Sequence, residues 1–193
     1  MRRRFKNPEE PKMAGKKKAK NQSKSRIRRI AILVEKDYQD MEVWYPYLRL
    51  LEAGFEVIPI GVNQTEYKGK YGYPILCKAT IDEVKSSEFE GVIIPGGWAP
   101  DFLRLSKEVL KFVAEMDKSG KLVASICHAG WVPASAGILK GRTVTSYVAI
   151  KDDVVNAGAK WVDEEVVIDK NLITSRTPWD LPAVMRAGLD CLG

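Results

Sequence analysis

Histidine is almost missing from this sequence: His128 is the only one in 193 residues. Cysteine is scarce too, with Cys77, Cys127 and Cys191 widely spaced and no CxxC pair. An odd, scattered set argues against a disulfide framework, and one imidazole without paired thiols argues against a Cys/His zinc site. Long apolar runs are also lacking. No stretch approaches the roughly 18 uninterrupted apolar residues of a membrane span, and the N-terminus lacks the roughly 7–15-residue apolar core of a signal peptide. These absences make the cytoplasm the default location, with no metal site expected.

Acidic residues are nearly absent from the first 29 positions. Thirteen Lys/Arg stand there against Glu9 and Glu10, so this segment carries +11 of a formal charge of +6 and the remainder is about −5. The basicity therefore belongs to the tail, and a nucleic-acid-binding body is not indicated. Residues 1–28 have too little apolar content to repay the entropy of ordering, and are expected to be a disordered tail before one domain over 29–193. Recruitment of RNA or acidic lipid, a solvated extension, and an upstream start codon with Met13 as the true start all stay open for it.

From Ile30 onward, apolar runs alternate with amphipathic stretches. IAILV (30–34), FEVIPIG (55–61), GVIIPGG (91–97) and KLVASI (121–126) read as strands. Trp44, Tyr47, Leu48 and Leu51 recur at helical spacing before Gly54, and Val109, Phe112, Val113 and Met116 mark a helix ended by Ser119-Gly120. Continuously apolar strands are covered on both faces, and the intervening helices supply the cover, so the fold class is a parallel α/β sandwich. Residues 65–81 read as a small hairpin or edge excursion. Short late strands fall at 144–145, 166–169 and 172–174, and Leu181, Val184, Met185 and Leu192 indicate a closing helix.

In open parallel sheets ligands bind beyond the carboxyl ends of the strands. The strongest candidate there is Ser125-Ile126-Cys127-His128-Ala129-Gly130, where a buried strand runs into a small-residue turn. Small residues two before and two after a nucleophile are what a sharp elbow requires, and Ser125 and Ala129 supply them. A lone cysteine after a strand is more often an inert core residue. The elbow pattern beside the sole histidine outweighs that reading here, and a following helix N-terminus is expected to acidify the thiol. The His128 side chain reads as a base or as a plain helix-start residue. Neighbours on an elbow rarely face each other, so its backbone N–H is the better candidate, as an oxyanion donor. Gly97 offers a second such N–H, with Gly96 and Trp98 beside it, although most Gly-Gly pairs are simply tight turns. In the acidic stretch Glu35–Glu42, Asp40 reads as a helix-dipole partner. Glu42, between Met41 and Val43, reads as a partly buried carboxyl able to hydrogen-bond the thiol.

The segments YQDMEVWYPYLRLLEAGFEV, IIPGGWAPDFLR, ASICHAGWVPASAGILKGRTVTSY, IKDDVVNAGA and SRTPWDLPA, in that order from about residue 29 onward, closely resemble the PfpI endopeptidase-like branch of the ThiJ/PfpI superfamily. The resemblance implies a flavodoxin-like, class I glutamine amidotransferase-like three-layer sandwich with a mostly parallel central sheet. It implies a homodimer, with a hexamer open. It assigns the nucleophile to Cys127, its histidine to His128, the thiol-contacting glutamate to Glu42, and the acid of a triad, from a neighbouring subunit, to Asp101. Asp101 is one methylene shorter than the glutamate of the archaeal peptidases. Gln39 stands where related chains often carry an acid, and Ala129-Gly130-Trp131 replaces Gly-Pro-Gln, which brings Trp131 toward the pocket. The implied activity is a cofactor-free cysteine hydrolase acting in stress protection. Its substrates would be peptides or amides as an intracellular protease, or small carbonyl adducts of glyoxal and methylglyoxal as a deglycase. The alternative is a non-catalytic redox sensor or chaperone using oxidation of Cys127.

Overall fold

The computed structural model describes residues 27–193. The expected basic tail lies, apart from its last two residues, outside the described part.

The first strand, β1 (Arg29–Val34), is buried without interruption from Ile30 to Val34, as its unbroken apolar run requires. It leads into α1 (Asp40–Glu52), whose N-terminus is capped by the Gln39 side chain accepting from the N–H groups of Met41 and Glu42. β2 (Glu56–Gly61) returns parallel to β1, with Val34 opposite Gly61. β3 (Glu66–Lys68) and β4 (Pro74–Leu76) form an antiparallel hairpin, and β5 (Ala79–Thr80) joins the edge of the main sheet. The segment 65–81 thus supplies both the hairpin and the edge.

The second half repeats the strand–helix alternation. β6 (Gly91–Ile94) is followed by the short α2 (Ala99–Leu103) and by α3 (Lys107–Lys118), which Ser106 caps through Val109 N–H. β7 (Leu122–Ile126), α4 (Trp131–Ser135), β8 (Thr143–Val144), α5 (Lys151–Asn156) and β9 (Lys160–Trp161) come next. β10 (Val166–Asp169), β11 (Leu172–Ser175) and α6 (Leu181–Leu192) end the chain. The main sheet has the order β10-β11-β7-β6-β1-β2-β5, parallel throughout except for the β10–β11 pair. The crossover β1-α1-β2 runs one way along the sheet and β6-α3-β7 the other. Right-handed connections therefore put α1 and α3 on opposite faces, and α6 packs beside α1. This is a flavodoxin-like α/β sandwich.

Helix α1 contains the residues whose spacing marks it in the sequence, but that spacing does not identify its buried side. Val43, Pro46 and Leu50 face inward together with Glu42, whereas Leu48 and Leu51 are 58% and 40% exposed. Apolar side chains go nearly all the way round this helix, so periodicity alone cannot choose a face. The order in which strands are added reverses between the parallel neighbours β1 and β6, and at that crevice the loops after β1, β6 and β7 converge.

Candidate active site

Cys127 leaves β7 with φ +61°, a left-handed conformation that costs a non-glycine residue about 1–2 kcal/mol. Small neighbours make the turn sterically possible: Ser125 and Ala129 are both buried in the tightly packed bend. The strain aims the thiol out of the sheet edge, where it remains 8% exposed. The tight turn Cys127–Gly130 then swings the His128 ring back, so that its Nδ1 lies 3.3 Å from Cys127 Sγ. The two neighbours do face each other, contrary to the expectation for consecutive elbow residues, because the positive φ at Cys127 folds the chain over its own side chain. Tyr147 and Trp131 fix the imidazole, with ring centroids at 4.8 and 5.5 Å, and Trp98 stands at 6.3 Å.

Glu42 comes up from beneath. Its side chain is fully buried, and Oε2 accepts a 2.6 Å hydrogen bond from Gly96 N–H. Its other oxygen, Oε1, is buried without a well-formed hydrogen bond, and the Cys127 thiol is the further polar group that reaches the carboxyl. Burial pushes the Glu42 carboxyl up to about 8, against the smaller opposing pulls of Gly96 N–H, the thiol and the Lys70 charge. At neutral pH this carboxyl is therefore mostly protonated.

The thiol itself is pushed up to about 12, first by burial and then by negative charge on Glu42. The expected acidification by a helix N-terminus is not found, since α4 has only five residues and begins after the turn. The contribution from Glu42 operates only once that group ionises. Below its own titration Glu42 carries the proton, and a thiolate meets the N–H groups of His128 and Gly97 and the charge of Lys70, all of which favour it. Burial, followed by the nearby Lys70 cation, holds His128 below its ordinary value, while Asp101 pulls the other way. A neutral imidazole with Nδ1 toward sulfur can accept the thiol proton.

Gly97, at φ +72°, presses its backbone onto the loop after β1: Trp98 N–H donates to Asp37 O at 2.9 Å, and Gln39 N–H to Gly96 O at 3.2 Å. A side chain at Gly97 would collide with Asp37 O and Gln39 N, so glycine is required for the two loops to meet. Asp101 lies exposed on α2 and makes no hydrogen bond with His128, acting on it only through its charge.

The thiol opens into a cleft of about 550 Å³. Gln39, Gly97, Trp98, Cys127 and His128 line it, together with Lys70, Tyr71, Tyr147, Thr177 and Trp179, which sequence reasoning did not single out. Gly96 lies below the cleft between Glu42 and Cys127. Trp131 stands behind His128, its Nε1–H donating to Asp153 at 2.8 Å. Asp40 does more than favour a helix dipole: its carboxylate accepts the N–H groups of Tyr71 and Tyr73, both at 3.1 Å, and so ties the β3–β4 turn to the mouth of the site. Among the described residues no group of three or more His, Cys, Asp or Glu gathers in metal-binding fashion, and no helix is long and apolar enough to cross a membrane.

A strained thiol on a strand-to-helix elbow, with a histidine and a buried glutamate at the switch point of a flavodoxin-like sheet, defines a class of cysteine-centred α/β proteins. Within that class the chain belongs to the DJ-1/PfpI family, whose profile matches residues 28–190. It is 44% identical over 158 residues to Deglycase PfpI of Pyrococcus furiosus, covering 82% of this chain and 95% of that one. It is 41% identical over 169 residues to Protein/nucleic acid deglycase 2 of Escherichia coli, covering 86% and 98%. Among solved structures, a two-domain protein of Anabaena variabilis with DJ-1/ThiJ/PfpI-like and ferritin-like domains superposes with a TM-score of 0.83 at 43% identity. The alignment covers 86% of this chain and 48% of that protein, about half its length.

Proposed function

We propose that this chain is a cofactor-free cysteine hydrolase of the deglycase type, acting on adducts of glyoxal or methylglyoxal with amines and thiols. The observation that carries the reading is the strained Cys127, with His128 Nδ1 at 3.3 Å, at the base of an open cleft. Relatives more than 40% identical over nearly their whole length are named deglycases, which supports that branch over peptide cleavage.

In the first step the thiol proton passes to His128 Nδ1 and sulfur attacks the carbinol carbon of the adduct. The C–S bond forms as the C–N or C–S bond to the modified group breaks, and His128 returns the proton to the departing amine or thiol. Oxyanion character on the bound fragment is met by the N–H groups of Gly97 and His128. His128, neutral again, takes the C–H proton of the enzyme-bound hemithioacetal while Glu42, protonated beside sulfur, donates to the neighbouring carbonyl oxygen. Return of the two protons across the enediol gives a thioester, which water hydrolyses to a 2-hydroxy acid and the free Cys127 thiol. The family resemblance supports the further reading that Asp101 of a neighbouring subunit pairs with His128, since Asp101 on α2 is exposed and forms no ion pair among the described residues.

The test is to supply methylglyoxal-modified N-acetylcysteine and a fluorogenic peptide amide to the purified protein in parallel. Release of lactate from the first without cleavage of the second supports the deglycase reading. The reverse pattern replaces it with an amidase. If neither reacts while peroxide oxidises Cys127 selectively, the chain is a redox sensor.

A further inference from the structure

Lys70 is a cation without a counter-ion in the reactive cleft. It occupies the turn between β3 and β4 and lines the same space as Cys127 and His128, whose lining includes no Asp or Glu. Among the described residues it forms no ion pair, and its ammonium stands 5.1 Å from the centre of the Tyr71 ring. The turn that carries it is fixed at several points. Lys70 N–H donates to Tyr38 O at 2.9 Å, Tyr38 Oη–H donates to Tyr73 O at 2.5 Å, and Asp40 accepts from Tyr71 and Tyr73. Gly69 packs directly on the Asp40 carboxylate, where any side chain would collide. From this one place the ammonium is felt by Glu42, Cys127 and His128 together.

A single positive charge held on aromatic walls, with a nucleophile nearby and no Asp or Glu among the residues lining its cleft, attracts an anionic substituent more strongly than the same charge in open water. We infer that Lys70 is a specificity-determining residue that selects, for reaction at Cys127, carbonyl compounds and adducts bearing a carboxylate near the reacting carbon. A phosphate dianion would call for a second cation, and the cleft lining has none. The inference deepens the proposed function and rests on it for the identity of the reacting atom.

The test reads the thiol itself. In a Cys191→Ala background, which removes the exposed thiol, the rate of Cys127 alkylation is followed by mass spectrometry with iodoacetate and with iodoacetamide. The two reagents share the reacting carbon and leaving group and differ in charge, so any change in thiolate fraction cancels in their ratio. Lys70→Gln is expected to lower the iodoacetate-to-iodoacetamide ratio by about three- to tenfold, and Lys70→Arg to retain it. A ratio unchanged in Lys70→Gln overturns the inference. The substrate counterpart is kcat/KM for the methylglyoxal adduct of N-acetylcysteine against that of N-acetylcysteine amide, a preference expected to fall in parallel. Because alkylation needs no turnover, failure of the hydrolase reading leaves the alkylation ratio as a valid measure of Lys70.

Discussion

Gly96 N–H donates to Glu42 Oε2 at 2.6 Å, and the glycine behind that bond is the spacer that lets the carboxyl and the thiol share one site. A methyl group at Gly96 would stand 2.9 Å from Cys127 Cβ, 2.9 Å from Glu42 Oε2 and 3.0 Å from His128 N. Cys127 Cβ and His128 N are held by the elbow, so the atom left to give way is the Glu42 carboxyl, at the cost of its bond to Gly96 N–H.

Gly96→Ala should therefore destabilise the fold by about 1–3 kcal/mol, as overpacking does, and should lower turnover at least tenfold by separating Glu42 from sulfur. Denaturant unfolding and steady-state kinetics check both. A variant with wild-type stability and activity would show that the three groups are not in this close arrangement.

The buried carboxyl of Glu42 also makes stability depend on pH in a defined direction. Its folded value, about 8, lies above its ordinary 4.5, so the folded state holds a proton that the unfolded chain releases between those values. The contribution is fully present below pH 4.5 and is lost as pH rises toward about 8, with a slope of about 1.4 kcal/mol per pH unit. His128, lowered in the fold, acts in the opposite sense at the acid end, so the difference between wild type and Glu42→Gln isolates the carboxyl. Glu42→Gln should remove the slope between pH 5 and 8 in urea unfolding. Parallel pH profiles for the two proteins would refute the buried-acid assignment.

Asp40→Ala deletes the acceptor of two backbone N–H groups in the turn that carries Lys70 and Tyr71. Hydrogen exchange at Tyr71 and Tyr73 should accelerate by an order of magnitude or more while the amides of β1 and β7 stay protected, since bonds to a charged acceptor are worth about 1.5–3 kcal/mol. Equal protection before and after the substitution would mean that the hairpin is held by something else.

What the sequence revealed follows from how local each feature is. The four central strands were legible because burial on both faces leaves continuous apolar runs, and the elbow was legible because its steric demand falls on Ser125 and Ala129 next to the nucleophile. The direction of the His128 ring was not, since it depends on a positive φ at Cys127 that no residue type announces. Lys70 and Tyr71 were visible as part of a hairpin, but the place where that hairpin folds back is set by Asp40, some thirty residues earlier. Tyr147, shortly before α5, and Trp179, in the short turn before α6, lie far along the chain, and only the assembled sheet edge brings them to Cys127. The sequence implies a helix N-terminus directly after Cys127, whereas a short turn stands there and burial pushes the thiol up.

The most direct measurement is lactate release from methylglyoxal-modified N-acetylcysteine by wild type and by Cys127→Ala, with circular dichroism confirming that both are folded. The account predicts turnover in wild type and none above the uncatalysed rate in Cys127→Ala. Turnover that survives in the folded Cys127→Ala protein would contradict a mechanism centred on this thiol.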